Sequence, residues 1–179
     1  MDELGILYEK SYANLETIMI PHIVAPDIFH ITAEGLRQKG ITLLLLDLDN
    51  TLSPYSEDLP PEPVLAWMNA LKGAGISPYI ISNNASEERV RAYAEACEIP
   101  YVARAGKPSP RSILEAMQKL GKTKVETALM GDQVFTDGLA ARRAGVTAIV
   151  IRPLEMRFLF CLRYIIEQPF RLLARERLT

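Results

Sequence analysis

The chain has 179 residues and a formal net charge of −2, with 49% hydrophobic and 23% charged residues. This composition is typical of a folded globular protein and excludes an intrinsically disordered chain, and the length suits one domain with a single core. The weak net charge argues against nucleic acid as the main partner, because phosphate backbones are bound by dense lysine and arginine surfaces.

The start of the chain and its cysteines indicate the compartment. Residues 1–3 lack the basic and apolar character of a secretory signal, and no apolar run approaches the roughly 18 residues that a membrane-spanning helix needs. Cys97 and Cys161 are far apart and belong to no disulfide or zinc pattern. We therefore expect a cytoplasmic protein, with any membrane contact confined to the periphery of the inner face.

Short apolar runs alternate with helix-like segments in the middle of the chain. The runs predict buried strands at residues 41–46, 78–81, 101–103, 125–130 and 147–151. The segments between them predict helices at residues 62–73, 86–98, 110–120 and 134–144. This repeating order predicts an α/β fold with a three-layer, doubly wound parallel sheet and extra helices at both ends.

The two ends of the chain differ from the core at residues 41–151. Residues 1–40 predict a helical leader, whose amphipathic part at 4–20 either covers the sheet or touches a membrane. Residues 152–179 predict a basic, apolar helix that Pro169 breaks, with six arginines, no lysine and three acids, a balance of +3 that leaves −5 elsewhere. This tail either lies on anionic lipid or docks on the core or a second subunit. Docking is slightly favoured, because apolar residues occur on most of its faces.

Acidic pairs follow two of the predicted strands. Asp47 and Asp49 end the first strand, and Asp132 and Asp137 follow the strand at 125–130. Ligands of doubly wound sheets bind beyond the carboxyl ends of the strands, where such side chains meet. Neighbouring carboxylates repel and are costly to bury, and a divalent cation with hard oxygen ligands, such as magnesium, reconciles them. Each pair alone also suits a helix cap or a turn, which is the less favoured interpretation.

Two further strand ends carry groups that suit an anion. Ser82, Asn83 and Asn84 follow the second strand near a helix N-terminus, although they are also ordinary turn and cap residues. Lys107 stands between a glycine and a proline just before a helix, where a fixed ammonium would neutralise phosphate; a lone loop lysine is usually only solvated. The order acid pair, serine, lysine, acid pair is hard to obtain by chance in one small domain.

These four pieces resemble the four signature motifs of the haloacid-dehalogenase phosphatase superfamily, over about residues 43–150. The resemblance implies a magnesium-dependent phosphomonoester hydrolase that forms an aspartyl-phosphate. It implies that Asp47 is the nucleophile and a metal ligand, and that Asp49 is the general acid/base with its backbone carbonyl on the metal. Asp132 would be the acidic metal ligand, and Asp137 would hold a metal-bound water or Lys107.

The resemblance also implies how phosphate is bound and how open the site is. The phosphoryl oxygens would meet the Ser82 hydroxyl and Lys107, with further contacts from Thr51 and Asn83. Asn50 stands where many members carry glycine, a departure that a left-handed turn tolerates. The spacing between motifs leaves no room for an inserted cap domain, which favours large or awkward substrates over a free small sugar phosphate.

The forms of the motifs narrow the resemblance. DLDNTL at residues 47–52, Ser-Asn-Asn after the second strand and GDQVFTD at residues 131–137 resemble the YqeG type of subfamily IIIA, which is similar to mitochondrial phosphatidylglycerophosphate phosphatases. The implied substrate is phosphatidylglycerophosphate, a lipid-borne phosphomonoester, at a membrane surface. The alternatives are a soluble phosphatase acting on a small metabolite or phosphoprotein, and a binding or scaffold protein of the same fold. A homo-oligomer is a further alternative, because capless relatives borrow a neighbouring subunit as a lid.

Overall fold

Seven parallel strands form the central sheet. The computed structural model describes residues 19–156 and 158–179. Its strands are β1 (Ile23–Ala25), β2 (Leu43–Leu46), β3 (Ser77–Ile81), β4 (Tyr101–Val102), β5 (Thr127–Gly131), β6 (Thr147–Ile151) and β7 (Glu176–Arg177). They lie in the order β4-β3-β2-β5-β6-β1-β7, and every neighbouring pair is parallel. β2 therefore lies near the centre, with its carboxyl end beside those of β3 and β5.

Helices cover both faces of the sheet. They are α1 (Ala33–Gln38), α2 (Glu62–Gly73), α3 (Glu87–Ala96), α4 (Arg111–Lys119), α5 (Leu139–Ala144) and α6 (Phe158–Leu172). Successive leucines of β2 point to opposite faces, because side chains alternate along a strand. Leu44 and Leu46 belong to one core cluster, with α2 and α3, and Leu43 and Leu45 belong to the other, with α4 and α5. The predicted three-layer, doubly wound α/β fold is confirmed.

The predicted core elements appear with small shifts in their ends. The helix predicted at residues 62–73 has those bounds, and the Ser86 hydroxyl caps α3 by accepting from the Arg89 N–H at 3.3 Å. The helix predicted at residues 134–144 begins as a π turn, Val134–Gly138, before α5. Val125 is 82% exposed and lies outside β5, because the apolar run there includes a turn before the strand enters the sheet.

The leader and tail add an edge to the sheet that the sequence did not predict. Most of the amphipathic segment at residues 4–20 lies outside the described residues. The prediction of a purely helical leader is wrong for its described part, because that part contains β1, which pairs with β6, and α1 follows β1. The tail is likewise not helical to its end, because β7 pairs with β1. Strands of three and two residues carry too little pattern to be read from sequence, and pairing with their neighbours defines them.

Pro169 does not break the C-terminal helix, contrary to the prediction. It lies inside α6, which continues to Leu172. A proline removes one helical hydrogen bond, but Glu167 and Arg171 on either side of it are both held in the core. Those contacts hold the helix against the core on both sides of the proline. None of the described helices combines the length and apolar character needed to cross a membrane.

Candidate active site

The turn after β2 holds Asp47 at the edge of the sheet. The Asp47 N–H donates to the Met130 carbonyl at 2.9 Å, which continues the β2–β5 ladder by one residue. Asn50 has a φ of 64°, the left-handed conformation expected at this position. The Thr51 hydroxyl then donates to Asp47 Oδ2 at 3.1 Å. The turn thus brings a hydroxyl back onto the carboxylate that ends the strand.

The loop after β4 delivers Lys107 to the same place. Its backbone is fixed by Asn83, whose side chain accepts from the Lys107 N–H at 2.8 Å and donates to the Lys107 carbonyl at 2.9 Å. Asn83 was predicted to contact phosphate, and in this structure both ends of its amide hold the lysine loop. The loop is therefore positioned by the end of β3, the neighbouring strand.

The Lys107 ammonium joins the first and fourth motifs. Its Nζ lies 2.6 Å from Asp47 Oδ1 and 2.6 Å from Asp137 Oδ1, and its side chain is 1% exposed. Burial alone would lower the pKa of Lys107, but the Asp137 and Asp47 carboxylates outweigh it and raise that pKa above its ordinary value. The lysine is thus held in its charged form between two acids that are 90 residues apart in the sequence.

Three buried carboxylates gather around this ammonium. Oxygens of Asp47, Asp132 and Asp137 all lie within 4.8 Å of one another. Burial raises the pKa of Asp47 to about 7 against the opposing charge of Lys107, and burial followed by the neighbouring Asp137 and Asp47 charges raises the pKa of Asp132 well above its usual range. Asp132 Oδ1 is buried and has no hydrogen-bond partner among the described residues. Hard oxygen donors with surplus negative charge and an unused buried oxygen fit a divalent cation such as Mg²⁺.

Gly131 makes the close approach of Asp137 possible. A Cβ atom at this position would collide with the Asp137 carboxylate, so any other residue would push the acid away. Asp137 Oδ2 also accepts from the Gln133 N–H at 3.2 Å, which fixes it within the π turn. Gly131 and the Gln133 N–H thus hold Asp137, the second acid of the fourth motif, beside Asp132, the first.

Asp49 is held apart from this cluster by two side chains. The Asn84 amide donates to Asp49 Oδ2 at 2.7 Å, and Arg89 Nε donates to Asp49 Oδ1 at 3.2 Å. Arg89 is nearly buried and also donates to the Pro54 carbonyl at 3.0 Å and to Asp58 at 2.7 Å. It therefore ties Asp49 to the loop at residues 54–58. Sequence reasoning missed Arg89, although its place in the first turn after the second motif was a usable signal.

A cavity of about 300 Å³ opens in front of these groups. Its lining comes from three strand-end loops, and comprises Asp47, Asp49, Tyr55, Asn83, Asn84 and Gln133. Ser82 and Thr51 lie behind it and are fully buried, with the Ser82 hydroxyl accepting from the Asn84 N–H at 3.0 Å. Tyr55 and Gln133 were not predicted as site residues. Tyr55 lines the cavity beside Asp47 and Asp49, and burial, followed by the Asp49, Asp132 and Asp47 charges, raises the pKa of its phenol.

Helix α6 closes the other side of the carboxylate cluster. Arg163 donates to Asp132 Oδ2 at 3.2 Å, and Arg171 donates to the Asp132 and Ile151 carbonyls. Glu167 lies between the two arginines, paired with Arg171 at 3.1 Å and 1% exposed. The tail thus docks on the core, which was one of the predicted alternatives. It does so through its charged face, which sequence reasoning did not foresee.

Comparisons with known proteins agree with this architecture. A model of the family described as haloacid dehalogenase-like hydrolase matches residues 7–145. The chain is 31% identical over 150 residues to Probable phosphatase YqeG of Bacillus subtilis (strain 168), covering 84% of this chain and 87% of that protein. It is 26% identical over 156 residues to Phosphatidylglycerophosphate phosphatase 1, chloroplastic, of Chlamydomonas reinhardtii, covering 83% of this chain but only 58% of that protein.

A solved structure shows the same fold. The crystal structure of 3-deoxy-D-manno-octulosonate 8-phosphate phosphatase from Moraxella catarrhalis, in complex with magnesium, phosphate and KDO, superposes with a TM-score of 0.54 over 80% of each chain, at 22% identity. Between Asp47 and Lys107, a stretch that the structure describes in full, this chain forms only α2, α3 and their connectors around β3 and β4, with no inserted cap. With the family matched over most of its length and phosphatases among its relatives, the chain belongs to the haloacid dehalogenase-like hydrolases and is a hydrolase of phosphomonoesters.

Proposed function

We propose that the chain is a magnesium-dependent phosphatase that forms an aspartyl-phosphate on Asp47, and that its substrate is the lipid-borne phosphomonoester phosphatidylglycerophosphate. One observation carries the mechanism. The buried Lys107 ammonium lies 2.6 Å from both Asp47 and Asp137, within a cluster completed by Asp132. A carboxylate is repelled by a phosphate dianion, so attack on phosphorus needs this concentration of positive charge around the nucleophile.

Asp47 and Asp49 divide the chemistry between them. An Asp47 oxygen bonds to phosphorus as the bond to the leaving oxygen breaks, and Asp49 gives its proton to that oxygen. Asp49 then takes a proton from water, whose oxygen attacks the phosphorus and releases inorganic phosphate with Asp47 restored. The geometry supports this division, since Asp49 lines the cavity but is anchored by Asn84 and Arg89 outside the carboxylate cluster.

The metal would be held by Asp47, Asp132 and the backbone carbonyl of Asp49, with Asp137 behind them. When bound, Mg²⁺ supplies positive charge that offsets the repulsion between the nucleophile and the phosphoryl oxygens. Asp137 is the acid best placed to orient Lys107, because it receives the ammonium at 2.6 Å and is 1% exposed. The unpartnered Asp132 Oδ1 is the clearest candidate for direct contact with the cation.

Phosphate would be held by Lys107, Ser82, Thr51 and Asn83. Lys107 is the strongest of these contacts, because its charge is fixed and its backbone is clamped. Ser82 and Thr51 are fully buried in this structure, so their hydroxyls would act from behind Asp47 and Asn84. Asn83 contributes chiefly by holding Lys107 in place. Behind the cavity lining the site thus offers one cation and short polar groups, which suits a phosphoryl group.

The lipid-borne substrate is supported by the relatives and by the open site. One relative at 26% identity is named as a phosphatidylglycerophosphate phosphatase. A site without an inserted cap leaves room for a phosphomonoester that stays attached to a large body, such as a lipid at a bilayer surface. A soluble metabolite that needs to be enclosed would fit this arrangement less well.

The substrate proposal is tested by measuring phosphate release from two sets of substrates. Purified full-length chain is given phosphatidylglycerophosphate in detergent micelles and a panel of soluble phosphomonoesters, with magnesium or with EDTA. We expect magnesium-dependent release that is fastest on the lipid. Faster release from a soluble panel member would replace the lipid substrate while keeping the mechanism. Release that is unaffected by EDTA or by Asp47→Asn would overturn the mechanism itself.

A further inference from the structure

From residue 162 onward, the face of α6 that points away from the core is apolar. Its outward side chains recur three and four residues apart and form one strip along the helix. We call this strip the outer stripe; it consists of Leu162, Ile165, Ile166, Pro169, Leu172 and the following Leu173. Its five aliphatic side chains are each 54–64% exposed. A continuous exposed strip of five aliphatic side chains marks an interaction surface.

The charges of α6 point the other way, into the protein. Arg163, Glu167 and Arg171 stand four residues apart and contact the core, with Glu167 1% and Arg171 4% exposed. Surface helices usually bury the apolar side and expose the charged side. Because α6 is fixed to the core by its charged face, packing of the helix against the described residues does not explain the outer stripe.

Exposed cations lie beside α6. A cavity of about 420 Å³ beside α6 is lined by Arg152, Arg171 and Arg177, together with Tyr164 and the last residues of the chain. Arg171 is neutralised by Glu167. Arg152 and Arg177 are exposed, and neither forms a salt bridge with another described residue. An apolar strip on α6 and uncompensated arginines beside that helix together have the chemistry that anionic lipid surfaces attract.

A second copy of the chain is a poorer occupant. A symmetric pair docked through the outer stripe would bring the same arginines to both sides of one interface, and like charges oppose such pairing. A lipid surface with anionic headgroups supplies the opposite charge and an apolar interior at once. Charge complementarity therefore favours lipid.

The position of α6 links this surface to the active site. The inner face of the helix reaches the carboxylate cluster through Arg163 on Asp132. The connection before α6 reaches the first motif, because the Leu154 and Glu155 N–H groups donate to Asn50. Leu154 on that connection is itself apolar and 48% exposed. A bilayer against the outer stripe would therefore lie beside the catalytic edge of the sheet.

We propose that the outer stripe, with Arg152 and Arg177, docks the protein on an anionic lipid bilayer and turns the active site toward phosphomonoesters carried by that bilayer. This surface deepens the proposed function and rests on it for its purpose. Docking itself requires neither magnesium nor turnover, so it can be measured separately.

Flotation with lipid vesicles tests the docking. Full-length chain in EDTA is mixed with vesicles of phosphatidylcholine alone, or of phosphatidylcholine and phosphatidylglycerol in equal amounts. We expect at least about tenfold stronger partitioning onto the anionic vesicles, weakening as salt is added, because each surface arginine is worth roughly fivefold in binding. Equal or no binding to the two kinds of vesicle would overturn the proposal.

Paired variants assign the binding to this surface. Ile165→Gln with Ile166→Gln should reduce partitioning onto anionic vesicles about tenfold or more, since two apolar contacts with the bilayer are lost. Leu114→Gln with Val125→Gln is the matched control, because both residues are exposed and apolar but lie away from α6. We expect less than about a twofold change for that control. Circular dichroism and thermal melting establish that both double variants are folded.

A second pair tests the charges. Arg152→Gln with Arg177→Gln should reduce partitioning about 10- to 30-fold and remove most of its salt dependence. Arg91→Gln with Arg111→Gln removes two exposed arginines elsewhere and should leave both nearly unchanged. Equal losses in test and control pairs would overturn the assignment, as would a dimer that depends on Ile165 and Ile166 without lipid binding. A chain that hydrolyses the lipid in micelles but ignores vesicles would keep the proposed function and overturn the docking surface.

Discussion

Two parts of the sheet's carboxyl edge are built in different ways. In the central part, Asp47, Ser82 and Asp132 come directly after β2, β3 and β5, so the strands themselves carry the groups to one place. In the outer part, beside β6 and β1, the charged groups arrive on α6, and Arg163 meets Asp132 from 31 residues further along the chain.

This difference separates the residues that take part in the reaction from the residues that surround them. Groups at the ends of adjacent parallel strands keep their spacing as long as the sheet exists, which suits a site that demands fixed distances between nucleophile, cation and acid. Groups on a docked helix depend on that helix staying in place. We therefore expect substitutions in the central part to abolish turnover, and substitutions in the outer part to adjust it.

The largest effect is expected from Asp47→Asn. The amide cannot form the aspartyl-phosphate, so turnover should fall roughly 10³-fold or more. The melting temperature should change little, because the substitution removes a buried acid whose pKa burial raises to about 7, while Lys107 keeps its contact with Asp137. Phosphate release and thermal melting measure the two quantities. Turnover close to that of the parent would contradict the role of Asp47.

Lys107→Met should lower both activity and stability. Removal of the ammonium leaves Asp47 and Asp137 buried without their shared cation, so turnover should fall roughly 10²-fold and stability by about 3–5 kcal/mol. The stability loss should be largest near pH 8 and shrink toward pH 5. A buried acid whose folded pKa is raised is neutral at low pH and costs stability only as the pH rises above its unfolded value.

Urea unfolding in EDTA at those two pH values measures this dependence. Lys119→Met is the control, since Lys119 lies in the last turn of α4 and forms no salt bridge with another described residue. If Lys107→Met lost the same stability at both pH values, the ammonium would not be neutralising the two carboxylates.

Arg89→Met tests how the central part holds Asp49. Arg89 does not line the cavity but donates to Asp49, so its loss should lower kcat about 10- to 100-fold with little change in KM. The loss should be greater on alkyl phosphates than on p-nitrophenyl phosphate, whose leaving group needs no proton. Arg89→Lys should recover part of the rate. A loss that is independent of the leaving group would make Arg89 a structural residue only.

Arg163→Gln tests whether the outer part adjusts the central part. The guanidinium occupies Asp132 Oδ2, so it competes with a cation for that carboxylate. Its removal should lower the magnesium concentration at half-maximal activity about 3- to 10-fold. Magnesium titration of phosphate release measures this effect. A higher magnesium requirement would mean that Arg163 instead holds Asp132 in its binding position.

The division between the central and the outer part also explains which features the sequence alone predicts. Asp47, Lys107 and Asp132 follow apolar runs that read as strands, and parallel strands bring such residues together whatever their separation along the chain. The fold class and the four convergent strand ends follow from that rule. For Gly131, the first residue of the fourth motif, the structure supplies the reason, which is the close approach of Asp137.

What sequence did not predict depends on tertiary contacts. Arg89 and Arg163 look like solvated helical arginines, since a pattern of residue types does not say that a buried acid lies opposite. The apolar face of α6 points outward, which reverses the usual rule that a surface helix buries its apolar face. From sequence alone the helix showed apolar residues on most faces. β1 and β7 are defined by pairing rather than by composition. These features all lie at the outer part or in side chains that reach across elements.

The smallest effect concerns His22, which joins the start of β1 to the start of β6 at the opposite, amino edge of the sheet. Its Nδ1 accepts from the Ala148 N–H at 2.9 Å, and Arg142 Nη1 lies 2.5 Å from its Nε2. Burial, followed by the charges of Arg142 and Arg175, lowers the pKa of His22 to about 4. The unfolded chain takes up this proton near pH 6.5, so the neutral ring stabilises the fold above that pH and its contribution is lost as the pH falls toward 4.

We therefore expect the parent chain to lose about 1–2 kcal/mol between pH 7 and pH 4.5 through this one group, a value reduced for solvent screening at a half-buried ring. His22→Asn should be less stable at pH 7 but should lose less on acidification, because asparagine does not titrate. Urea unfolding of both chains at the two pH values measures the difference. His30→Asn is the control, since His30 lies on the surface with its ring on Asp27. Equal acid sensitivity of the parent and His22→Asn would show that the pairing of β1 with β6 is not held by a neutral histidine.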